Sequence, residues 1–271
     1  MELEGRSALV SGAARGIGRV IARVLAEAGA IVALADRDAS VKEVAEELGA
    51  QGHRVLPLTF DVSSPTDVRD SVTHAAEAFG GIDILISNAG IVDHIAPLTR
   101  MQSERWDQEL AVNLGGAFHL LQAVLPGMRE RSWGRVVLIS SVAAVGGLHR
   151  QAGYAASKAG LIGLAKTATL EHARDGISCN VVLPGLIETE TVASMPAEIR
   201  EATIASTPAR RLGRMEEVAK LVAYLASDAA GFINGAEIRI DGGFSLNTGT
   251  LGSVEEIRGG AAARGNGGGE S

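Results

Sequence analysis

Tyr154 and Lys158 stand four residues apart in a stretch of helical pattern, Tyr154–Ala173. That spacing puts both side chains on one helix face. A phenol beside an ammonium suits proton transfer. An unperturbed Tyr has a pKa of about 10, too high for a good base near neutrality, and nearby positive charge lowers it by favouring the phenolate. Interconverting an alcohol and a ketone needs such a group, as base for the hydroxyl proton while hydride leaves carbon and as acid in reverse. The ordinary alternative is a Tyr packed against a Lys stem.

A second constellation lies near the N-terminus. The run Ser11-Gly12-Ala13-Ala14-Arg15-Gly16-Ile17-Gly18 follows a short apolar segment and opens a helical one. Glycines there let the backbone turn sharply and approach a pyrophosphate, which the free N–H groups of a helix N-terminus attract. The spacing is G-x-x-x-G-x-G rather than the common G-x-G-x-x-G, and a purely structural turn is the alternative in a chain with 34 Gly. The next apolar run, Ile31–Ala35, leads into Asp36. A carboxylate there accepts hydrogen bonds from the adenosine ribose hydroxyls and repels a 2′-phosphate, so NAD is expected in preference to NADP. Arg15 and Arg37 oppose that preference, since either guanidinium can approach a 2′-phosphate. A solvated acid at a strand end is the alternative for Asp36.

Short apolar runs and longer helical patterns alternate along the chain and must position these groups. The runs are Ser7–Val10, Ile31–Ala35, Arg54–Thr59, Ile82–Ser87, Arg135–Ser140, Ile177–Leu183 and Glu237–Ile240. Helical stretches fall at Gly16–Ala28, Val41–Leu48, Thr66–Phe79, Glu104–Arg131, Tyr154–Ala173 and Met215–Ala226. Strands that are apolar throughout imply burial on both faces. Strand–helix alternation of this kind predicts an α/β fold: one doubly wound, Rossmann-type parallel sheet of about seven strands with helices on both faces. A single catalytic domain over 1–248 is expected. The Gly-rich segment 249–271 has too little apolar side chain to offset its ordering entropy and is expected to be a flexible tail.

Composition narrows the partners. A hydrophobic share of 46% in 271 residues supports one sizeable core, and a formal net charge of −7 argues against nucleic acid or an anionic membrane as the main partner. The single cysteine, Cys179, excludes an intrachain disulfide and reads as a small buried core residue. No His spacing points to a metal site, so no metal is expected. No signal-peptide pattern is evident, and no stretch reads as long or apolar enough to span a bilayer; a cytoplasmic protein is the expectation.

Taken together, Ser11-Gly-Ala-Ala-Arg-Gly-Ile-Gly18, Asp61-Val62, Ser87-Asn88-Ala89-Gly90, Asn113, Ser141, Tyr154-x-x-x-Lys158, Pro184-Gly185 and Asp241-Gly242-Gly243 resemble the short-chain dehydrogenases/reductases from about Leu3 to Phe244. The resemblance implies four catalytic residues. Ser141 would hydrogen-bond the substrate oxygen and Tyr154 would exchange the proton. Lys158 would tune the phenol and bond the nicotinamide ribose, and Asn113 would hold a water linking Lys158 to solvent. It implies a cofactor site of Gly12, Arg15, Gly16, Ile17, Gly18, Asp36, Arg37, Asp61, Val62, Asn88, Ala89, Gly90, Tyr154, Lys158, Pro184, Gly185, Ile187 and Thr189. Asp61 and Val62 would flank the adenine, and Ile187 and Thr189 the carboxamide. Two departures are mild: Ser11 stands for the usual Thr and Ser87 for the first Asn of Asn-Asn-Ala-Gly.

Substrate varies within that family. The pocket is expected to draw on Ser141, His94, Ala143, His149 and Gln151, with Val92, Asp93 and Val145 beside them and a variable lid at about Glu190–Arg211. A small-molecule secondary alcohol or ketone is expected as substrate. The alternative is an NADPH-dependent 3-oxoacyl-carrier-protein reductase, suggested by the resemblance of Gln151-Ala-Gly-Tyr154, Glu188-Thr189 and Leu212-Gly213-Arg214 to that subgroup, with Arg129 and Arg131 able to contribute to a basic patch for an acidic carrier. It is opposed by Asp36 and by Asp175, which stands where a second basic group would be expected. A non-enzymatic NAD sensor or scaffold is the alternative from another class. The resemblance also implies a homotetramer, paired through the helices at Glu104–Arg131 and Tyr154–Ala173.

Overall fold

In the computed structural model, which describes residues 3–92 and 94–246, the seven apolar runs become strands. They are β1 (Ser7–Ser11), β2 (Ile31–Asp36), β3 (Val55–Thr59), β4 (Ile84–Ser87), β5 (Gly134–Ile139), β6 (Ile177–Pro184) and β7 (Glu237–Ile240). All pair in parallel in one sheet of order β3-β2-β1-β4-β5-β6-β7. The chain winds outward from β1 to β3, then crosses back to β4 and winds the other way. The point of reversal, between β1 and β4, opens a crevice at the strands' C-terminal ends.

The helices are α1 (Gly16–Glu27), α2 (Val41–Ala50), α3 (Pro65–Phe79), α4 (Ser103–Leu110), α5 (Gly116–Glu130), α6 (Ala143–Gly146), α7 (Ala152–His172), α8 (Glu190–Ala193), α9 (Ala197–Ser206) and α10 (Met215–Leu225). Successive strand residues point to opposite faces, so the sheet divides its side chains between two cores. Ala8, Val10, Val32 and Leu34 join α1, α2 and α10; Leu9, Ala33 and Ala35 join α3, α5 and α7. Apolar-throughout strands follow from that double burial. The expectation fails at the edge strand β7, where Glu237 and Arg239 are exposed and Lys166 pairs with Glu237 at 2.7 Å. Cys179 is buried, which pushes its thiol up to about 12.

Two expectations need correction. The helix expected at Glu104–Arg131 runs unbroken over Ser103–Glu130, but Ala111–Gly115 forms a π turn between α4 and α5. Its 28 residues contain an 18-residue window with a mean hydropathy of 1.3, long and apolar enough by length and composition to cross a membrane, contrary to the reading that no stretch is. The apolar character has a local cause: Leu120, Leu121, Val124 and Met128 of α5 are buried against the sheet. A core helix of a doubly wound fold meets the same length and composition test. The segment expected as a lid forms α8 and α9, the latter without a buried residue. The segment 249–271 lies outside the described residues.

Candidate active site

The turn after β1 is held by side chain–backbone bonds across the crevice. Ser11 Oγ accepts the N–H groups of Asn88 (3.0 Å) and Ala89 (3.1 Å), while Asn88 Nδ2 donates to Ser11 O (3.0 Å) and Gly12 O (3.2 Å). The ends of β1 and β4 are thereby stitched together. Gly12 has φ +69° and a Cβ there would sit 2.8 Å from Asn88 Nδ2; a Cβ on Gly18 would overlap the Gly12 carbonyl. Only glycine fits at both. Gly16 (φ +57°) faces open space, with nothing nearer than Glu190 Oε2 at 4.0 Å.

α1 begins at Gly16 after an extended Arg15, with no side-chain cap and no acid in its first turn. Its leading N–H groups have no helical partner and face the crevice mouth, an arrangement suited to a phosphate. At the end of β2 the Asp36 carboxylate accepts the N–H of Ala14 (3.0 Å) and of Asp38 (3.0 Å). Arg15 and Arg37 are exposed nearby. Asp38 is held below the usual carboxylate range by hydrogen bonds from Ser40, and the Arg15 and Arg37 guanidiniums add to the effect. A glycine cradle, an uncapped helix and a strand-end carboxylate fit a dinucleotide.

The other expected cofactor residues ring the same crevice. Asp61 accepts Ser63 N (2.8 Å) and Ser63 Oγ (2.7 Å), and Val62 is buried with its carbonyl 3.1 Å from His119 Nδ1. The Pro184 carbonyl accepts Val142 N–H (3.0 Å), and Gly185 donates to Ile240 O (3.1 Å) where a Cβ would lie 2.9 Å from Asp241 Cα. Ile187 is buried and bridges to Gly213, while Thr189 caps α8 by accepting Val192 N–H at 3.3 Å.

The proton-handling residues meet deeper, where α7 crosses the ends of β4 and β5. Lys158 is buried; its Nζ donates to Ile139 O (2.8 Å) and lies 5.7 Å from the centre of the Tyr154 ring. A Cβ on Gly90 would lie 3.2 Å from Asn113 Oδ1 and 3.3 Å from Lys158 Nζ, so both groups converge on that bare backbone. Asn113 sits in the π turn, accepts Ile91 N–H (2.7 Å) and donates to Ile91 O (3.0 Å) and Ser157 Oγ (3.1 Å). Ser141, just past β5, is hydrogen-bonded to Tyr154 and accepts Ala143 N–H at 3.2 Å.

The charge balance differs from the simple expectation that Lys158 pulls the phenol down. Burial raises the Tyr154 pKa, Glu109 adds to the rise, and hydrogen bonding to Ser141 opposes it without reversing it. Lys158 is itself pushed down to about 8 by burial. Lys158 is buried and Tyr154 half-buried, and desolvation penalises each charged form.

Three residues complete this geometry without having been expected. Ser157 donates to Tyr154 O (2.8 Å) and receives Asn113; Ser140 Oγ donates to Lys158 O at 2.8 Å. Their only sequence signal is a hydroxyl in Tyr154-Ala-Ala-Ser157-Lys158 and at the end of the β5 run. The third is Glu109, fully buried on α4. An acid one helical turn before Asn113 was its signal.

Of the expected pocket residues, Ala143 is buried, His94 and Gln151 are half-buried, and Val92, Val145 and His149 are exposed. Ala96 N–H donates to Arg150 O (2.9 Å), so the loops carrying His94 and His149 lie side by side near the start of α7. His94 Nε2 is buried without a hydrogen-bond partner among the described residues. Asp93 lies outside the described residues.

Phenol, hydroxyl and ammonium around one opening can exchange a proton with a substrate oxygen. Comparison with known proteins agrees with that chemistry. Residues 12–245 match a family model described as enoyl-(acyl carrier protein) reductase. The chain is 40% identical over 248 residues to the 3-oxoacyl-(acyl-carrier-protein) reductase FabG of Vibrio cholerae serotype O1, covering 91% of this chain and 100% of that one. It is 39% identical over 240 residues to cis-4-hydroxycyclohexanecarboxylate dehydrogenase of Sinomonas cyclohexanicum, covering 89% and 96% respectively. A solved gluconate 5-dehydrogenase from Burkholderia cenocepacia J2315, in complex with NADP and tartrate, superposes with a TM-score of 0.86 at 35% identity, over 90% of this chain and 96% of that one. The chain belongs to the short-chain dehydrogenase/reductase family and is an oxidoreductase acting on CH–OH or ketone substrates.

Proposed function

We propose that this chain interconverts a small secondary alcohol and its ketone with NAD(H), using Tyr154 as the proton-transfer group. The observation that carries the reading is the convergence of Asn113 Oδ1 and Lys158 Nζ on Gly90, below a phenol hydrogen-bonded to Ser141. In oxidation the Tyr154 oxygen takes the substrate hydroxyl proton; in reduction it returns one to the carbonyl oxygen. Ser141 donates to that same oxygen and fixes its distance from the phenol. A bound dinucleotide supplies the hydride acceptor or donor and, when oxidised, a positive charge near the phenol. Lys158 holds its own charge close to the Tyr154 ring because Ile139 O and Ser140 Oγ anchor the residue at both ends. Asn113 Oδ1 keeps one lone pair beyond its bond to Ile91, the place for a water that relays protons from Lys158 outward.

The preference for NAD rests on Asp36, whose carboxylate would accept ribose hydroxyls and repel a 2′-phosphate, with Asp38 beside it reinforcing the repulsion. The remaining crevice residues, from Gly12 to Thr189, bind through their backbone and shape. Residues 1–248 form the catalytic domain in this reading. Phe118 of α5 and Leu170 of α7 are exposed, at 47% and 86%, and are the contacts through which a homotetramer would assemble. Sedimentation as a monomer at micromolar concentration would remove that part.

A second reading, 3-oxoacyl-carrier-protein reduction, is favoured by the name of the Vibrio cholerae relative. Against it, Arg131 is already engaged by Asp83 (3.3 Å) and Ile82 O (2.6 Å), and Asp175 pairs with His172 at 3.1 Å. Arg129 beside Arg131 is exposed, so what opposes an acidic carrier there is the engagement of Arg131 together with the acid at position 175. A panel of secondary alcohols, ketones and acetoacetyl carrier protein, each with both cofactors, separates the two. Turnover of free cyclic or hydroxylated ketones with NADH is expected; a strong preference for the carrier substrate with NADPH would overturn the first reading.

A further inference from the structure

The chain between Ser141 and Tyr154 leaves the site and returns to it, and those two residues are hydrogen-bonded to each other. It forms a loop rooted on the reacting groups. A second loop, after β4, lies against it through the Ala96 N–H donated to Arg150 O at 2.9 Å. Two features of this pair of loops have no use in the proton chemistry. Arg150, four residues before Tyr154, holds φ at +65°, a left-handed conformation that strains an arginine and would not strain a glycine. Its side chain is exposed and makes no hydrogen bond or ion pair among the described residues. The other non-glycine residues with positive φ differ: Ser132 closes the turn after α5, and the Arg210 guanidinium bonds Ala205 O. On the second loop, His94 Nε2 is buried without a hydrogen-bond partner, a state that calls for an incoming group. The same two loops expose Val92, Ile95, Val145 and Leu148.

We propose that the substrate carries a carboxylate on an apolar carbon frame, and that Arg150 and His94 bind this carboxylate while Ser141 and Tyr154 act on the alcohol or ketone oxygen. The proposal rests on the alcohol–ketone reading of the site and names its substrate class. A strained residue without a partner is kept for what its side chain does. The guanidinium of Arg150 presents paired N–H groups that match both oxygens of a carboxylate, and its charge is permanent. In the tautomer that carries hydrogen on Nε2, His94 donates to the same anion. The exposed valines, leucine and isoleucine suit the carbon frame between the two ends. The carboxylate takes no part in hydride or proton transfer. Its binding decides how the frame lies, and with it which face of the carbonyl meets the hydride.

The test compares ketones that differ only in charge: aliphatic oxo acids with the carboxylate two, three or four carbons from the carbonyl, each against its methyl ester, with NADH. The readout is the ratio of kcat/KM for acid over ester. The unaltered chain is expected to favour at least one acid by about tenfold or more, through KM rather than kcat. Arg150→Gly removes the charge and relieves the strained φ, so it is expected to cut that ratio by about tenfold with little loss of melting temperature. Arg150→Asn, which also tolerates the left-handed conformation, should match it, and Arg150→Lys should recover part of the loss. His94→Leu should lower the same ratio by a smaller factor. A ratio near one in the unaltered chain, or one that Arg150→Gly leaves unmoved, overturns the proposal. A chain that turns over neither member of any pair tells instead against the alcohol–ketone reading. The anion site is then read by binding alone, as a rise in melting temperature with the oxo acid and NADH that Arg150→Gly loses; no such rise overturns the proposal as well.

Discussion

The β1–α1–β2 side of the crevice and the α4–α7 side solve different problems with different parts of the chain. The first is built from backbone: glycines where a Cβ would collide, an uncapped helix, and two serine and asparagine side chains spent on stitching β1 to β4. Its charged groups, Asp36, Arg15 and Arg37, stay in contact with water. The second is built from side chains withdrawn from water: Glu109, Asn113 and Lys158 are buried and Tyr154 half-buried, with the ionisation of Tyr154 and Lys158 shifted accordingly. A surface that only has to hold a ligand can be rigid and polar. One that has to move a proton needs groups whose charge states lie close in energy, and burial brings them there.

The difference can be broken at its strongest point first. Tyr154→Phe is expected to lower turnover by about 10²–10⁴-fold while leaving dinucleotide binding intact, followed by NADH absorbance for rate and by NADH fluorescence for binding. A parallel loss of binding would mean that the two sides are not separable. On the other side, Asp36→Ala is expected to move the ratio of kcat/KM for NADH over NADPH toward NADPH by about tenfold, leaving the pH profile in place. Because the readout is a ratio, any general weakening of the Ala14 contact cancels.

The smallest effect tests burial itself. Lys158 titrates at about 8 in the fold against 10.5 when exposed, so between those values the unfolded chain binds more protons and stability rises with pH. From pH 7 to 9 the Lys158 gain is about 1.3 kcal/mol, of which the buried Cys179 thiol, raised from 9.0 to about 12, already offsets about 0.4 kcal/mol at pH 9 as the unfolded thiol ionises. Urea denaturation at the two pH values measures it, and Lys158→Met should flatten the rise. An equal rise in that variant would show that the Lys158 ammonium is not paying the desolvation cost.

The two sides also differ in how legible they were. The alternation of apolar runs and helical stretches predicts the sheet because both faces of β1, β2, β4, β5 and β6 are buried, and a single-sequence pattern records burial directly. Gly12, Gly16 and Gly18 are readable because all three fall in one continuous strand–turn–helix segment, although Asn88 adds to the crowding at Gly12 and Gly18. Tyr154 and Lys158 are readable for the same reason, being one turn apart on one helix. Glu109 and Ser157 were not. What gives them a place is contact between segments far apart in the chain, Glu109 with Gly153 and Ser157 with Asn113. The sign of the shift on Tyr154 was missed likewise, since spacing shows that a lysine is near but not that both groups are dry. The exposed face of β7 depends on being last in the sheet, which no run of four residues announces.

The π turn at Ala111–Gly115 has a mechanical meaning. It holds one residue more than an α turn, and each residue carries a helix through about 100° of rotation. Upstream of it the helix is in phase with α7, which receives Glu109; downstream it is in phase with the sheet, which receives Leu120, Leu121 and Val124. The turn works as a coupling between two shafts set at different angles. Deleting one residue there would give a smoother helix and a chain that could keep either its core or its proton chemistry in register, but not both.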